Sequence, residues 1–239
     1  MMNMKIAIII PCYNEEQRLD KQKILDLSEI NNITLFLAND GSKDKTAKIL
    51  KSISSENTEK IKVFDYKKNS GKAGVIYKTV NQILTFNEFD YIGYFDADFS
   101  TPLSEISRMI EELKAKKYAF IFGSRVKLLN SKIQRKIYRH YIGRIIITII
   151  NFKFNLSIYD TQCGAKIFSK ELIQEAFQKP FFTSWLFDVE VFIRLRKKEM
   201  LANGKEFPLT EWTDVEGSKL SWKHVFKIFK EILLLYRKY

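Results

Sequence analysis

Ile6 to Ile10 form five apolar residues in unbroken succession, stopped by Pro11. A run of that length without alternation predicts a central parallel strand buried on both faces. The same short apolar signature recurs at Thr34 to Ala38, Ile61 to Phe64, Tyr91 to Phe95 and Ala119 to Phe122. Between these runs the apolar residues fall at helical spacing. Leu19, Ile24, Leu25 and Leu27 make one set, Ala47, Ile49, Leu50 and Ile53 a second, and Val75, Ile76, Val80, Ile83 and Leu84 a third. Pro102 opens a further helix in the favoured first-turn position. Strand alternating with helix predicts an α/β fold with a doubly wound, mostly parallel sheet.

The pattern changes after Gly123-Ser124-Arg125. From Ser131 to Ile158 basic residues interleave with tyrosines and isoleucines, and Ile145 to Ile150 is the most apolar local run. It predicts either one or two helices lying at a bilayer interface, with Lys and Arg reaching the headgroups, or a helical pair packed on the domain with a solvated basic face. Strand-like sequence returns at Tyr159 to Phe168, and a last strand is predicted at Glu206 to Trp212. From Trp222 on, helical spacing places Val225, Phe226, Phe229, Ile232, Leu233 and Tyr236 on one face, with Lys223, Lys227 and Lys230 beside it. That is a basic amphipathic helix, a pattern of membrane surfaces and partner docking. The expected division is residues 1–218 as the α/β domain, with a basic helical insertion at about 126–158, and 219–239 as the basic C-terminal helix.

Charge sharpens this division. The 239 residues carry a net charge of +12. Ser124 to Tyr159 holds eight basic residues and no acid, and Lys219 to Tyr239 holds six basic residues against Glu231 alone. Elsewhere acids and bases nearly balance, so the excess is confined to two segments. A localised basic field points to a polyanion, either nucleic acid or an anionic membrane surface. Cys12 and Cys163 lie far apart with no secretory signal before them, which suggests free thiols in a reducing cytosol. No stretch approaches the length of a membrane span, so a soluble or peripheral protein is expected.

The candidate chemistry sits at strand ends. Asp96 and Asp98 follow the Tyr91 to Phe95 run, where ligands of open α/β sheets bind, and suit Mg²⁺ or Mn²⁺ completed by phosphate oxygens and water. A solvated loop start is the plain alternative. Asp40 or Ser42, after the second strand, either serves a ligand or caps the next helix. Asn69 to Gly74 opens a helix with Gly71 beside Lys72, an arrangement able to take an anion on backbone N–H groups. Asp188 and Glu190 lie in the apolar stretch Trp185 to Phe192; buried acids of this kind are either used or placed at a helix N-terminus.

Taken in order, Pro11-Cys12-Tyr13-Asn14-Glu15-Glu16, Asn39-Asp40-Gly41-Ser42, Asn69 to Gly74, Asp96-Ala97-Asp98, Gly123-Ser124-Arg125, Thr161-Gln162-Cys163-Gly164, Trp185 to Glu190 and Glu216-Gly217-Ser218-Lys219 resemble a family-two glycosyltransferase of GT-A fold. The similarity is greatest to enzymes that move a sugar from a nucleotide donor to a polyprenyl phosphate, the dolichyl-phosphate glucosyl- and mannosyltransferases, and leans to the glucosyl branch. The resemblance implies that Pro11, Tyr13, Glu15, Asp40 and Lys72 frame the nucleotide, with Asp40 facing the base. It implies that Asp96 contacts ribose or metal and that Asp98 is the principal metal ligand. Arg125 would bind the acceptor phosphate, and Asp188 would be the acceptor-side carboxylate.

A monoalkyl phosphate is mostly dianionic at neutral pH and needs cations rather than a base, which Arg125, Arg135, Arg139 and Arg144 would supply. A hydroxyl acceptor would instead use Asp188 as general base. The expected activity is therefore inverting transfer of a hexose, glucose favoured, to a polyprenyl phosphate. The expected setting is the cytoplasmic face of an anionic membrane, with peripheral attachment and no nucleic acid partner. Transfer to a saccharide is the alternative within the fold. A non-catalytic nucleic-acid-binding module is the alternative outside it, against which stand the absence of zinc spacing and of an aromatic RNA-binding signature.

Overall fold

The computed structural model describes residues 4–214 and 222–239, so the Glu216 to Lys219 motif lies outside the described residues. Strand β1 (Ile6–Cys12), helix α1 (Lys21–Glu29), β2 (Ile33–Asp40), α2 (Thr46–Glu56), β3 (Ile61–Tyr66), α3 (Gly71–Phe86), β4 (Tyr91–Phe95), α4 (Leu103–Lys116) and β5 (Phe120–Ser124) alternate as the sequence predicts. The second half adds β6 (Lys132–Gln134), α5 (Ile137–Phe154), β7 (Ala165–Ser169), α6 (Lys170–Ala176), α7 (Phe187–Lys197), β8 (Gly204–Pro208), β9 (Glu211–Thr213) and α8 (Trp222–Lys238).

Seven strands form one sheet in the order β3-β2-β1-β4-β7-β5-β8. All neighbours are parallel except at β7, which runs antiparallel to β4 and β5. The apolar run in β1 is buried on both faces. Ile6, Ile8 and Ile10 pack with α1, α2 and α4, while Ala7 and Ile9 pack with α3, α6 and α7. Outside this sheet β6 and β9 pair in parallel. The single strand expected over Glu206 to Trp212 is therefore two, broken at Leu209-Thr210, where Glu105 of α4 accepts a bond from the Thr210 N–H at 3.1 Å. α1 begins only at Lys21, capped by the Asp20 carboxylate, so residues 13–19 stay in a loop over the sheet edge.

The basic insertion resolves into the short strand β6 and one long helix, α5. Ile147 and Ile150 enter the core, while Ile137, Tyr141, Ile145 and Phe152 remain exposed, Phe152 at 93%. Helix α8 likewise presents two apolar faces. Ile228, Ile232 and Leu235 are buried against the domain, and Phe226, Phe229 and Leu233 point to solvent. The predicted face is thus split: Ile232 docks inward, and Phe226, Phe229 and Leu233 do not; the side chain of Val225 lies outside the described residues. Burial is decided by Glu231. Its carboxylate accepts from the Ser184 hydroxyl at 2.9 Å and from the N–H groups of Ser184, Trp185 and Leu186 at 2.8 to 3.3 Å. A charge-assisted set of this kind fixes the helix rotation and ties α8 to the loop that leads into α7. The helices also meet each other, the Tyr236 hydroxyl donating to the Ile149 carbonyl at 3.0 Å.

Candidate active site

The acids predicted at strand ends do converge. β1, β2 and β4 run parallel, so their carboxyl ends share one edge, and the N-terminus of α3 lies across it. A cleft of about 400 Å³ at that edge is lined by Pro11, Tyr13, Glu15, Asp40, Lys72, Asp96 and Asp98, together with Arg18, which belongs to none of the sequence motifs. Arg18 grips Glu15 with two bonds of 2.6 and 2.9 Å. Burial raises the Glu15 carboxyl above its ordinary value, and Arg18 pulls against that shift. Asp40 is buried, and its Oδ1 accepts from the Ser70 N–H at 2.9 Å and the Ser70 hydroxyl at 2.8 Å. It therefore ties the end of β2 to the start of α3, in addition to lining the cleft. Gly41, at φ +69°, makes that approach possible, because a Cβ there would lie 2.7 Å from the Asn69 nitrogen.

Asp98 accepts from the Ser100 N–H at 3.0 Å through Oδ1. The next residue, Phe99, holds φ +49°, a left-handed conformation that costs a bulky side chain on the order of 1–3 kcal/mol. Its ring is buried in the core on the α1 side, which holds the strained turn in place. Asp96 pairs with Lys72 at 2.5 Å. Burial lowers the Lys72 ammonium, but the carboxylates of Asp96, Asp188 and Asp98 more than offset this and raise it. Among the described residues no group of three or more His, Cys, Asp or Glu side chains gathers to hold a metal. Two adjacent acids fit the other mode, in which one or two carboxylates and substrate phosphate oxygens hold a hard divalent cation.

Asp96 owes its place to Gly164. The Asp96 N–H donates to the Gly164 carbonyl at 3.0 Å, and a Cβ on Gly164 would lie 1.9 Å from Asp96 Oδ2. Gly164→Ala is accordingly expected to displace the Asp96 side chain and lower turnover by at least about tenfold, with only a small change in melting temperature. Activity and melting curves on one preparation check this; unchanged turnover would show that Asp96 moves freely.

A second cavity, of about 450 Å³, adjoins the first, and Lys72, Asp96 and Asp98 line both. It is also lined by Arg125, Arg135, Arg144 and Asp160, and by Ile142, Ile146 and Ile228. Arg125 is held by Asp160 through bonds of 2.7 and 2.8 Å, and its guanidinium lies 5.0 Å from the Trp212 ring. Burial alone would raise the Asp160 carboxyl, but Arg125 and Arg135 hold it well below the usual carboxylate range. Glu206 completes the arrangement, accepting from the Ser124 hydroxyl at 2.7 Å and from the N–H groups of Tyr159 and Asp160 at 2.9 and 2.7 Å. Arg144 lies 3.9 Å from the Tyr159 ring and donates to the Tyr159 carbonyl at 3.0 Å. Gly143 leaves room for Arg135, whose Nη2 would lie 3.1 Å from a Cβ at that position. The side chain of Arg139 lies outside the described residues.

Asp188 stands in the first turn of α7 and lines this same cavity. Its Oδ1 accepts from the Tyr94 hydroxyl at 2.7 Å and from Lys166 Nζ at 2.8 Å. Glu190 is different: fully buried, it accepts from the Phe182 and Thr183 N–H groups, the Thr183 hydroxyl, Arg194 and the Tyr239 hydroxyl, and it lines neither cavity. Its role is to anchor the 180–183 loop. Asp160, Lys166, Glu206 and Glu231 were not among the residues predicted to form the site. Two left a trace in the sequence, Lys166 as a lone charge inside the Ala165 to Phe168 run and Glu231 as the one acid of a basic segment.

Comparison with known proteins agrees with this geometry. The dolichyl-phosphate beta-glucosyltransferase of Saccharomyces cerevisiae is 27% identical over 257 residues, covering 98% of this chain and 75% of that protein. The Dictyostelium discoideum enzyme of the same name is 28% identical, covering 91% of this chain and 69% of its own length. Among solved structures, mannosyl-3-phosphoglycerate synthase from Rubrobacter xylanophilus superposes with a TM-score of 0.72 at 14% identity, covering 98% of this chain and 74% of that one. Glucosyl-3-phosphoglycerate synthase from Mycobacterium tuberculosis, in complex with Mn²⁺, UDP and phosphoglyceric acid, superposes at 0.71 with 13% identity, covering 98% and 78%. The model of glycosyl transferase family 2 matches residues 7–177, which span the strand-end acids and the Arg125–Asp160 pair, and the chain belongs to that family.

Proposed function

We propose that the protein transfers glucose, with inversion, from UDP-glucose to a polyprenyl phosphate. The observation that carries this reading is the junction of the two cavities, where a nucleotide cleft tipped with acids opens through Lys72, Asp96 and Asp98 onto a pocket of arginines backed by isoleucines. A lipid monophosphate matches that second pocket in both charge and apolarity. The dolichyl-phosphate beta-glucosyltransferases that resemble the chain support the choice of sugar and acceptor.

In this reading Asp40 faces the base, and Pro11, Tyr13 and Glu15 frame the nucleoside. Lys72 neutralises the diphosphate. A divalent cation, Mg²⁺ or Mn²⁺, held by Asp98 and Asp96 would supply Lewis-acid stabilisation of the departing nucleoside diphosphate. Arg125, kept in one orientation by Asp160, presents its remaining donors to the acceptor phosphate, with Arg135, Arg139 and Arg144 adding charge. An oxygen of the dianionic phosphate attacks the anomeric carbon as the bond to the diphosphate oxygen breaks, and the electron pair leaves with UDP. No proton has to move, so no general base is required.

Among the described residues no helix is long and apolar enough to cross a membrane. The exposed Ile137, Tyr141, Ile145 and Phe152 of α5 and Phe226 and Phe229 of α8, with basic residues among them, support peripheral attachment to the cytoplasmic face of an anionic bilayer. A mass-spectrometric assay tests the function: protein, Mg²⁺ or Mn²⁺, polyprenyl phosphate in detergent or anionic vesicles, and UDP-glucose, UDP-galactose, UDP-N-acetylglucosamine and GDP-mannose in parallel. A glucosyl phospholipid from UDP-glucose alone is expected. Donor hydrolysis without a lipid product would move the acceptor to a saccharide.

A further inference from the structure

The Lys166–Asp188–Tyr94 cluster is a charged group set into an aromatic core. Lys166 is fully buried, Asp188 nearly so, and the Tyr94 ring lies 5.9 Å from that of Phe187 and 6.3 Å from that of Phe168. Desolvating an ammonium and a carboxylate costs several kcal/mol each, and an apolar replacement of the same volume is often as stable. A buried charge pair that an apolar core could replace, and whose carboxylate lines a cavity, points to use by a ligand.

The geometry restricts that use. Tyr94 bonds to Oδ1, and Lys166 Nζ lies 2.8 Å from the same oxygen. A carboxylate has about four acceptor positions, so Asp188 keeps capacity for a donor that enters the cavity. Lys166 also donates to the Cys163 carbonyl, and burial together with Asp188 pushes the Tyr94 hydroxyl far up, so Tyr94 stays a donor. The carboxylate is thereby held in one rotamer. Its neighbour is Lys72, whose ammonium feels the Asp188 charge and lies 5.8 Å from the Phe187 ring. Lys72, Asp96 and Asp98 mark where a diphosphate would sit, so a sugar on that diphosphate extends into the cavity that Asp188 lines. Arg125, Arg135 and Arg144 line the same cavity.

We propose that Asp188 accepts a hydrogen bond from a hydroxyl of the transferred hexose and so selects the sugar, with Lys166 and Tyr94 as positioning residues. The assignment rests on the nucleotide-sugar reading of the site, but it does not depend on the acceptor. It replaces a proton-transfer role for Asp188 with a recognition role.

The test uses the full chain, UDP-glucose and its 3-, 4- and 6-deoxy and 2-deoxy analogues, reading kcat/KM for transfer and affinity for each donor by calorimetry. In the parent protein one deoxy donor is expected to lose about 30–100-fold, the worth of a hydrogen bond to a charged group. Asp188→Asn should lose a similar factor with UDP-glucose and no further factor with that same deoxy donor, while affinity for UDP stays unchanged. Tyr94→Phe, which keeps the ring and loses only the hydroxyl, should show the same non-additive pattern with a smaller loss of about tenfold, and carries the test if Asp188→Asn does not fold. Equal losses for every deoxy donor in parent and variant would overturn the assignment. So would removal of the acidic limb of the pH–rate profile by Asp188→Asn, the signature of a general base. Nucleotide-sugar binding without lipid transfer leaves the affinity comparison decisive, whereas failure to bind any nucleotide sugar would overturn both this assignment and the proposed function.

Discussion

Asp98→Asn is expected to lower kcat/KM for glucosyl transfer by about a thousandfold, which corresponds to several kcal/mol of lost transition-state stabilisation. The substitution isolates charge from structure. Asp98 Oδ1 accepts from the Ser100 N–H, and an asparagine carbonyl can accept the same bond, so the strained turn at Phe99 should hold and the melting temperature should stay within a degree or two. What is lost is the anionic oxygen that would hold a hard cation beside the departing diphosphate. Steady-state transfer, together with calorimetry of UDP in the presence of Mn²⁺, separates the two effects: turnover and metal-dependent UDP affinity should fall together. Full turnover with unchanged metal dependence would remove Asp98 from the site.

The second large effect is on stability. Asp160→Ala leaves the Arg125 guanidinium buried without its carboxylate, and breaking a buried pair from one side costs about 3–5 kcal/mol. It also frees the Tyr159–Asp160 backbone to shift on Glu206, so acceptor transfer should fall with stability. Urea unfolding of parent and variant measures the difference; a change below about 1 kcal/mol would mean that Arg125 finds another partner or water. The pH dependence has a definite sign. The folded Asp160 carboxyl lies below its unfolded value near ~3.9, so its contribution is fully present above that pH and lost only as pH falls through the folded value in strong acid. The parent and Asp160→Ala unfolding energies should therefore differ by a constant amount from neutral pH to about pH 5, and converge in more acidic solution.

The alternation of β1 to β5 with α1 to α4 was legible because each signal lies within one element: a run such as Ile6 to Ile10 buries both its faces whatever its neighbours are. The strand-end acids were legible for a related reason. Parallel strands place all their carboxyl ends on one edge, so Asp40, Asp96 and Asp98 needed no long-range information to be brought to one cleft. The second half carries less local signal. β7 enters the sheet antiparallel between β4 and β5, and nothing local distinguishes its Ala165-Lys166-Ile167-Phe168 from a parallel strand.

The sequence by itself determined the parallel α/β layering, the strand-end cluster of acids with Lys72, and the confinement of excess charge to two segments, since all of these follow from short-range pattern and composition. Only the tertiary structure decided which charges are paired. Arg125 meets Asp160 across 35 positions, Tyr94 meets Asp188 across 94, and Glu231 meets Trp185 and Leu186 across 46 and 45. It also decided that α8 turns Ile228, Ile232 and Leu235 inward rather than the face with Phe226 and Phe229. In a helix with apolar residues on two sides, periodicity leaves the rotation open. The bonds that Glu231 makes to a distant loop then fix it, because a carboxylate is buried only where its hydrogen-bond donors are.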